Sequence, residues 1–504
     1  MAAAAFTMGL SGAKGYLVTA ECIITGSFPG FEIIGLPDAA VKESRDRIRA
    51  TVKSLGLYIP EVKVTINLAP AGQKKEGAVY DLPMLISLLS EMNRIKSPSK
   101  TAAFIGELSL TGELRPVRGV LSMALAAKAE GIKELFVPKE NAKEASLAGE
   151  EIAVFGARNA LEVTDHLNNI RKISREAYWK PEKEKIKGGP DFSDVRGQEN
   201  VKRALEIAAA GGHNILMIGP PGSGKSMLAS RIPSILPDMT REEALESTEI
   251  HSISGLVSKE NPLLTSRPFR APHHSTSAVS LSGGSSALRP GEISLAHNGV
   301  LFLDELPEFH RDALEVLRQP METGEVTLSR VAGTATYPAR FMLVCAMNPC
   351  KCGWYGYEGA AHVCTCTQAS VDKYMGKISG PLLDRIDIQI NVESVTYEDM
   401  SSKETSEPSE KIRERVNRAR EKAKARGVSS NAVLSPKKLH ELAKLSPEAE
   451  ELLKNAFDSL GLTGRSYDKI LKVALTIADM ADSDIILPAH IAEAIQYRSL
   501  DRKV

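Results

Sequence analysis

The stretch LMIGPPGSGKSML, residues 216–228, decides the fold of the central part of this 504-residue chain. Within it, GPPGSGKS fits the pattern GxxxxGK[ST], with an apolar strand pattern before the loop and a helical pattern after it. Such a loop closes backbone N–H groups around phosphates, while Lys225 reaches the β- and γ-oxygens and the Ser226 hydroxyl ligates Mg²⁺. A chance glycine-rich turn is the alternative. The predicted ATP-binding residues are Gly219, Pro220, Pro221, Gly222, Ser223, Gly224, Lys225, Ser226 and Met227.

Two acidic residues end a second apolar strand pattern, GVLFLDELPEF, residues 299–309. A strand that ends in Asp-Glu, downstream of a phosphate loop, predicts a site for magnesium and for the attacking water. Asp304 is predicted to hold the magnesium ion, directly or through water. Glu305 is predicted to be the general base that polarises the water.

Two further candidates follow along the chain. Asn348 ends the strand pattern ARFMLVCAMNPC, where its amide can orient water near the γ-phosphate, although Asn-Pro is also an ordinary turn former. Arg385, in GPLLDRIDI, is flanked by two aspartates. It is either part of a local ion pair or a finger that reaches the γ-phosphate of a neighbouring subunit and stabilises transition-state charge.

The composition limits the class of protein. Lysine plus arginine and aspartate plus glutamate number 63 each, so any nucleic-acid site has to be a local patch. The N-terminus lacks a secretory signal pattern, and no run of about twenty apolar residues is available to cross a membrane. Six cysteines in so long a chain are not a disulfide scaffold. These features predict a cytoplasmic protein with no membrane partner.

The pattern along the chain predicts an α/β protein in four parts. Up to residue 169, short apolar strands alternate with helical patterns, which indicates a compact α/β domain. Residues 170–189 are polar and charged, as in a linker. The nucleotide-binding core is predicted to span residues 190–409, and residues 410–504 are helical in pattern.

The order of these motifs resembles that of AAA+ ATPases: phosphate loop, Asp-Glu strand, Asn strand tip, arginine, then a helical domain with a second arginine, Arg465. In that superfamily, adjacent subunits of a ring, usually a hexamer, share each ATP site. The resemblance implies that Arg385 acts on the neighbouring subunit. It also implies that Arg465 senses nucleotide within its own subunit, with Lys472 as an alternative sensor.

Residues 267–309, 348–357, 379–388 and 465–480 resemble the magnesium-chelatase-like AAA+ proteins, and more closely the ComM/YifB family. The resemblance implies a P-loop AAA+ αβα core with a helix-2 insert and a pre-sensor hairpin, followed by an all-helical C-terminal lid. In that clade the insert and the hairpin project into the pore of the ring. Basic groups on these two segments could grip DNA phosphates, although local packing or solvated charge is the alternative. They are Arg267, Arg270, His273, His274 and Arg330.

Residues 74–89 and 106–141 resemble the proteolytic domain of Lon. The position of the Lon serine holds Val79 and that of the lysine base holds Leu121, so the Ser-Lys chemistry of a peptidase is missing. The resemblance implies an inactive Lon-like α/β domain, a fold that the DNA-repair protein RadA uses as a ring platform for DNA. Basic residues that could contact a phosphate backbone there, or only form a solvated face, are Lys74 and Lys75 on a loop and Lys42, Arg45, Arg49 and Lys53 on one helix face.

Four cysteines lie within residues 350–366, with His362 close to them. Two pairs of thiolates suit tetrahedral zinc, although the one-residue gaps depart from the usual spacing of two to four. A reduced cluster without metal is the alternative, and disulfides are disfavoured in the cytoplasm. Cys345, on the strand, is expected in the core. The candidate zinc ligands are Cys350, Cys352, Cys364 and Cys366.

The family resemblance implies a ring ATPase that uses ATP and Mg²⁺ to drive single-stranded or branched DNA through its pore. The implied activity is helicase-like branch migration in homologous recombination or natural transformation. Two alternatives stay open: a metal-insertion motor of the magnesium-chelatase type, and a protein-remodelling ATPase.

Overall fold

The computed structural model describes residues 2–26, 28–180, 189–284, 288–330, 333–357, 363–394, 401 and 406–498. Contacts between residues divide the chain into two compact units, each made of three segments. The first unit comprises Met1–Lys183, Arg241–Leu264 and Gly333–Tyr337. The second comprises Glu184–Thr240, Thr265–Ala332 and Pro338–Val504. Eight of the twenty residues predicted as a linker, residues 181–188, lie outside the described residues.

The strands and helices are numbered along the chain. The strands are β1 (Ala3–Ser11), β2 (Lys14–Thr25), β3 (Gly30–Ile34), β4 (Lys63–Ala69), β5 (Ala102–Phe104), β6 (Glu107–Leu108), β7 (Leu114–Arg115), β8 (Glu134–Pro138), β9 (Ala153–Ala157), β10 (Ile215–Ile218), β11 (Phe269–Arg270), β12 (Val300–Leu303), β13 (Glu325–Arg330), β14 (Gly333–Pro338), β15 (Met342–Met347) and β16 (Ile388–Asn391). The helices of the first half are α1 (Ala39–Ser54), α2 (Asp81–Glu91), α3 (Val120–Ala129), α4 (Ala142–Ser146), α5 (Ala160–Leu167), α6 (Glu199–Gly211), α7 (Lys225–Ile235) and α8 (Arg241–Ser254). Those of the second half are α9 (Ala278–Ser282), α10 (Glu292–Leu295), α11 (Arg311–Glu315), α12 (Arg318–Thr323), α13 (Gln368–Met375), α14 (Gly380–Leu383), α15 (Ser409–Ala425), α16 (Pro436–Leu442), α17 (Pro447–Leu460), α18 (Gly464–Met480) and α19 (Pro488–Gln496).

The first unit is built on a mixed seven-stranded sheet in the order β3-β4-β2-β1-β5-β8-β9. The strand β1 pairs antiparallel with β2 and parallel with β5. Helix α2 is apolar on nearly every face and buried along its length. At its start, the buried carboxylate of Asp81 accepts a hydrogen bond from Arg47 Nε at 2.6 Å. This pairing offsets part of the free-energy cost of burying the charge.

Helix α8 follows the phosphate-loop helix in the chain but packs within the first unit. The Ser122 hydroxyl of α3 donates to Glu249 of α8 at 3.0 Å, and the Ser252 hydroxyl of α8 donates to the buried Glu144. The family resemblance implies that this insert projects into a pore. In this structure residues 241–264 belong to the first unit, and that expectation stays a prediction.

The second unit contains a five-stranded sheet in the order β11-β12-β15-β10-β16, in which every neighbouring pair is parallel. The strands β10, β12 and β15 are buried along their whole length, as their continuous apolar runs require. Ile218 lies opposite Met347, and Leu303 lies opposite Cys345. The loops that leave these three strands therefore meet at one edge of the sheet.

The predicted core and the C-terminal helices fall together in the second unit because they share one hydrophobic core. Ile215 of the sheet, Val201 of α6, Ile470 of α18 and Ile491 of α19 belong to the same buried cluster. The strands β13 and β14 form a separate two-stranded sheet. Among the described residues, no helix combines the length and apolar character that a bilayer crossing requires.

Candidate functional site

The phosphate-binding loop connects β10 to α7 and is held open by glycines in left-handed backbone conformations. Gly222 has φ +78° and Gly224 has φ +82°, where any other residue would be strained. Helix α7 begins at Lys225, whose ammonium group donates to the carbonyl oxygens of Gly219 and Pro220 at 2.8 Å each. The loop therefore wraps around its own lysine at the start of a helix, the arrangement that binds phosphates.

Lys225 and Asn348 come together at this edge of the sheet. The ammonium nitrogen of Lys225 lies 3.3 Å from Oδ1 of Asn348, which directly follows β15. Burial lowers the pKa of Lys225, and the nearby charge of Asp304 opposes this shift. A polyphosphate would compensate this desolvated cation better than water does.

Ser226 and Asp304 form the second contact at this edge. The Ser226 hydroxyl donates to Oδ2 of Asp304 at 2.5 Å, so the first turn of α7 touches the end of β12. One hydroxyl and one carboxylate are hard oxygen donors, and Mg²⁺ typically binds few protein ligands together with substrate phosphates. The two side chains therefore fit the predicted magnesium site.

Glu305 lies beside this pair and is engaged by a histidine. Its backbone has φ +52°, and its N–H donates to Oδ1 of Asp304 at 2.9 Å. The carboxylate Oε2 lies 3.0 Å from Nδ1 of His274. From the sequence His274 is a candidate for DNA contact or for local packing, and in this structure it contacts the predicted base.

Gln198 is a residue at this site that no sequence motif indicates. Its side-chain amide donates to the carbonyl oxygen of Ser223 at 2.7 Å and to that of Glu393 at 3.0 Å. The glutamine has φ +60° and precedes α6. It ties the phosphate-binding loop to the segment after β16. No spacing rule for the loop points to this residue.

Arg385 lies at the opposite edge of the same sheet. Its carbonyl oxygen accepts from the Asn214 side chain at 2.9 Å, and Asn214 directly precedes β10. Since β10 and β16 are parallel, Arg385 sits at the amino edge, whereas the phosphate-binding loop leaves the carboxyl edge. Four residues of strand separate the two edges by about 13 Å.

The Arg385 guanidinium takes part in an ion pair in this structure, but with neither flanking aspartate. It contacts Glu322 and donates to the carbonyl oxygen of Pro381 at 2.5 Å. Burial and the nearby charges of Arg318 and Arg465 lower the pKa of Arg385. In this structure the carboxylate of Glu322 is the anion that pairs with this cation.

Arg465 lies next to Arg385 and not beside the phosphate-binding loop. Its guanidinium contacts Asp384 at 3.3 Å and is largely exposed. The alternative sensor, Lys472, donates to the carbonyl oxygen of Ala432 at 2.8 Å, and burial lowers its pKa. The expectation that Arg465 reads nucleotide within its own subunit therefore lacks a supporting contact, because helix α18 starts at the amino edge of the sheet.

A buried polar network fixes the segment that carries Arg385. His213 bridges Asp387 at 3.3 Å and Thr476 of α18 at 2.9 Å. Although burial opposes it, the hydrogen bond from His213 lowers the pKa of Asp387. Lys469 of α18 donates to the carbonyl oxygen of Ile386 at 3.2 Å. The position of Arg385 is thus coupled to the C-terminal helices, which the sequence alone did not indicate.

The four cysteines of the predicted cluster converge. The Cys350 and Cys352 sulfurs lie 3.3 Å apart, and Cys364 lies 3.5 Å from Cys352. All four Sγ atoms, including that of Cys366, lie within 4.8 Å of one another. Four sulfurs at this separation could hold a metal ion. His362 lies outside the described residues, and Cys345 is buried in β15.

The basic residues predicted to grip DNA on the insert and hairpin contact other groups of the same chain. Arg267 donates to the carbonyl oxygens of Pro237 and Asn298, and Arg270 pairs with Glu292 at 2.7 Å. These contacts favour structural roles for both arginines.

Two other members of this set donate to or contact neighbouring groups. Arg330 donates to the Gly284 carbonyl oxygen at 3.0 Å. His273 lies 2.8 Å from the Ser275 hydroxyl.

The basic residues of the first unit divide into two groups. Lys75 is fully buried and donates to the Pro70 carbonyl oxygen, so the prediction of an exposed loop lysine is wrong for this residue. Its neighbour Lys74 is exposed and pairs with Glu76 at 2.8 Å. The predicted helix face does form on α1, with Lys42, Arg45, Arg49 and Lys53 all exposed.

Two apolar side chains occupy the positions of the Lon dyad. Leu121 is fully buried in α3, and its N–H donates to Glu144 at 3.1 Å. Val79 packs partly buried against the core of the first unit. Neither side chain can act as a nucleophile or a base.

Comparisons with known proteins cover nearly the whole chain. The family model described as "Magnesium chelatase, subunit ChlI" matches residues 191–400. The models described as "Subunit ChlI of Mg-chelatase" and "Magnesium chelatase, subunit ChlI C-terminal" match residues 20–141 and 406–498.

Similar proteins of full length are also found. Competence protein ComM of Haemophilus influenzae is 42% identical over 498 residues, covering 97% of this chain and 96% of the relative. The protein YifB of Escherichia coli is 43% identical over 492 residues, covering 96% and 94%. The magnesium-chelatase 38 kDa subunit of Rhodobacter capsulatus is 26% identical over 174 residues, covering 31% of this chain and 50% of that subunit.

Proposed function

The chain belongs to the family of magnesium-chelatase-like AAA+ ATPases that includes competence protein ComM and YifB, and we propose that it is a ring-forming motor that couples ATP hydrolysis to the translocation of DNA. The proposed activity is branch migration of single-stranded or branched DNA during homologous recombination or natural transformation. The ring is proposed to be a hexamer in the cytoplasm.

The proposed hydrolysis uses the edge of the sheet where β10, β12 and β15 end. Lys225 binds the β- and γ-phosphates, and Ser226 with Asp304 holds Mg²⁺, which neutralises phosphate charge when bound. Glu305 accepts a proton from the attacking water, and Asn348 orients that water. The water oxygen bonds to the γ-phosphorus as the bond to the ADP oxygen breaks, which yields ADP and inorganic phosphate.

The observation that carries the ring proposal is the position of Arg385. Its backbone lies at the amino edge of the sheet, about 13 Å of strand away from the phosphate-binding loop of the same chain. A finger at that edge serves a γ-phosphate only when another subunit presents one. Arg465 contacts the adjacent Asp384 at 3.3 Å, so we propose that it also acts on the neighbouring subunit.

Two observations support DNA as the polymer. The Haemophilus influenzae relative carries the name competence protein, and 42% identity extends along 97% of this chain. Helix α1 presents four exposed basic side chains at three- and four-residue steps, the pattern that could follow a phosphate backbone. Because Val79 and Leu121 replace the dyad of a Lon-type protease, we propose that the first unit has no peptidase activity.

We further propose that the four cysteines hold one zinc ion. Zinc bound by four thiolates at about 2.3 Å requires sulfurs about 3.8 Å apart. The Cys350–Cys364 separation of 3.9 Å fits this requirement, and the Cys352–Cys364 and Cys350–Cys352 separations of 3.5 and 3.3 Å are shorter by a few tenths of an ångström.

The proposed function is tested by steady-state ATPase rates of the full chain with single-stranded, duplex and forked DNA. We expect DNA, and forked DNA most strongly, to raise the rate severalfold, with Lys225→Ala as the background. Stimulation only by a porphyrin-binding protein would favour a metal-insertion motor, and stimulation only by unfolded protein would favour a remodelling ATPase. Either result, without binding of DNA, would contradict the DNA proposal.

A further inference from the structure

Residues 353–357, which directly follow the first cysteine pair, contact the phosphate-binding loop and the strand before it. Gly353 has φ +89°, and a Cβ atom at this position would approach Cδ and Cγ of Pro221 to 2.6 and 2.8 Å. Real Cβ atoms do not come so close, so only glycine allows the ring of Pro221 to lie this near the backbone of residue 353. Gly353 therefore packs directly on Pro221 of the phosphate-binding loop.

A second contact joins the same segment to the strand before the loop. The hydroxyl oxygen of Tyr357 lies 3.2 Å from the carbonyl oxygen of Ile218 and 3.3 Å from that of Val392. Burial raises the pKa of Tyr357 to about 12, so its hydroxyl remains a donor at neutral pH. Ile218 is the last residue of β10 and directly precedes Gly219, which accepts from Lys225.

The cysteine cluster lies at the amino-terminal end of residues 353–357, because Cys352 directly precedes Gly353. Cys350 is fully buried two residues after Asn348, and its sulfur lies 3.9 Å from that of Cys364. A metal bound here would fix residue 352 relative to β15, and with it the start of residues 353–357. Without a metal, the contacts of residues 353–357 with the nucleotide-binding strand and loop would be the Gly353 packing and the Tyr357 hydroxyl, while Tyr355 would keep its hydrogen bond to Gln368 at 2.9 Å.

We propose that zinc in the four-cysteine cluster holds residues 353–357 against the phosphate-binding loop and thereby sets the affinity of that loop for ATP. This inference rests on the proposed zinc and ATP sites. The metal acts at a distance from the phosphates: it positions the Gly353 backbone on Pro221 and the Tyr357 hydroxyl on Ile218, so the loop is already ordered when nucleotide arrives. Preorganisation of this kind raises affinity because less order has to be created on binding.

The experiment measures two quantities on the full chain: zinc per chain, and the dissociation constant for a fluorescent ATP analogue. The wild type should contain about one zinc per chain. After replacement of zinc by Co²⁺, its absorption spectrum should show the thiolate-to-metal bands of a tetrahedral four-sulfur site. Cys364→Ser should lose the metal and bind nucleotide at least about tenfold more weakly. Cys22→Ala, a buried cysteine of the first unit, is the matched control and should change neither quantity.

Two variants separate the loop contact from the metal itself. Tyr357→Phe removes one hydroxyl, while Ile218 keeps its hydrogen bond from the Val392 N–H at 2.7 Å, so the sheet is preserved. We expect this variant to retain zinc and to bind the analogue about three- to tenfold more weakly. Gly353→Ala should also retain zinc and lose more affinity, because its Cβ displaces Pro221.

The outcomes distinguish the proposals from one another. Unchanged nucleotide affinity in metal-stripped wild type and in Tyr357→Phe would overturn the coupling, even with zinc present. Wild type with no zinc and no cobalt spectrum would overturn the metal site. Wild type that holds zinc but binds no nucleotide would overturn the ATP site instead.

Discussion

Nδ1 of His274 lies 3.0 Å from Oε2 of Glu305, the residue proposed to activate water. The backbone of Glu305 is in the left-handed region with φ +52°, and its N–H is held by Asp304. A carboxylate oxygen that is hydrogen-bonded to an imidazole is less available to accept a proton from water. This contact is therefore expected to restrain hydrolysis until the histidine moves away.

The first prediction concerns this restraint. His274→Ala should raise the ATPase rate measured without DNA severalfold, because it frees the Glu305 carboxylate to accept a proton. The same variant should show a smaller stimulation by DNA. The measurement is steady-state phosphate release with and without forked DNA.

The control is His440→Ala, which removes a different histidine–carboxylate pair, that of His440 with Asp468 at 3.0 Å. This variant should leave the basal rate near that of the wild type. If His274→Ala instead lowers the basal rate sharply, His274 supports the base and the restraint does not exist.

The second prediction concerns the base itself. Glu305→Gln should keep ATP binding and ring assembly but lower turnover at least about 100-fold, because an amide cannot accept the proton. Binding is measured with a fluorescent ATP analogue, and assembly by light scattering. Glu308→Gln is the matched control, since Glu308 contacts Lys377 at 3.2 Å, and it should hydrolyse normally. Normal turnover in Glu305→Gln would assign the base to another residue.

The third prediction concerns the sharing of sites between subunits. Arg385→Ala should lower turnover by about 10³-fold, the loss typical of an arginine finger. A mixture with Lys225→Ala should regain activity, because a loop from the first variant can meet an arginine from the second. Random mixing would restore roughly a quarter of the interfaces in a ring. Arg413→Ala, whose ion pair with Asp238 is at the surface, serves as the control.

The fourth prediction uses the same mixing for Arg465. If Arg465 acts on the neighbouring subunit, as its contact with Asp384 favours, Arg465→Ala mixed with Lys225→Ala should also regain activity. A sensor that acted within its own subunit would give no rescue, because each subunit of the mixture would then carry a defective site. Phosphate release from the mixture, compared with each variant alone, decides between the two.

The sequence predicts the contacts that follow from a single motif and from the order of parallel strands. Lys225 and Asn348 follow strands that neighbour each other, and Ser226 and Asp304 meet at the same edge, as strand-loop spacing predicts. Contacts that depend on long-range packing were not predictable. His274 lies 31 positions before Glu305 in an irregular segment, and its role follows from where that segment folds back.

The sequence also does not predict which charged residues are buried. Lys75 follows Lys74 in a polar stretch, and nothing in GQKKEG separates the two. In the structure Lys75 is fully buried and Lys74 is exposed. The backbone N–H of Lys75 donates to the carbonyl oxygen of Leu36, which holds Lys75 against the fold. The packing of α8 within the first unit likewise depends on Ser122 and Glu144, far away in the chain.

The last prediction follows from the burial of Lys75. Burial lowers the pKa of this amine below its usual value of 10.5, so the folded protein releases the proton before the unfolded chain does. Stability should therefore rise with pH where the unfolded chain binds more protons. We expect the melting temperature of wild type, relative to Lys75→Met, to increase between pH 7 and about pH 10. The melting temperature of wild type relative to Lys74→Met, which lacks an exposed amine that pairs with Glu76, should show no such increase. If the difference in melting temperature between wild type and Lys75→Met does not change across this pH range, Lys75 is solvated in the folded protein.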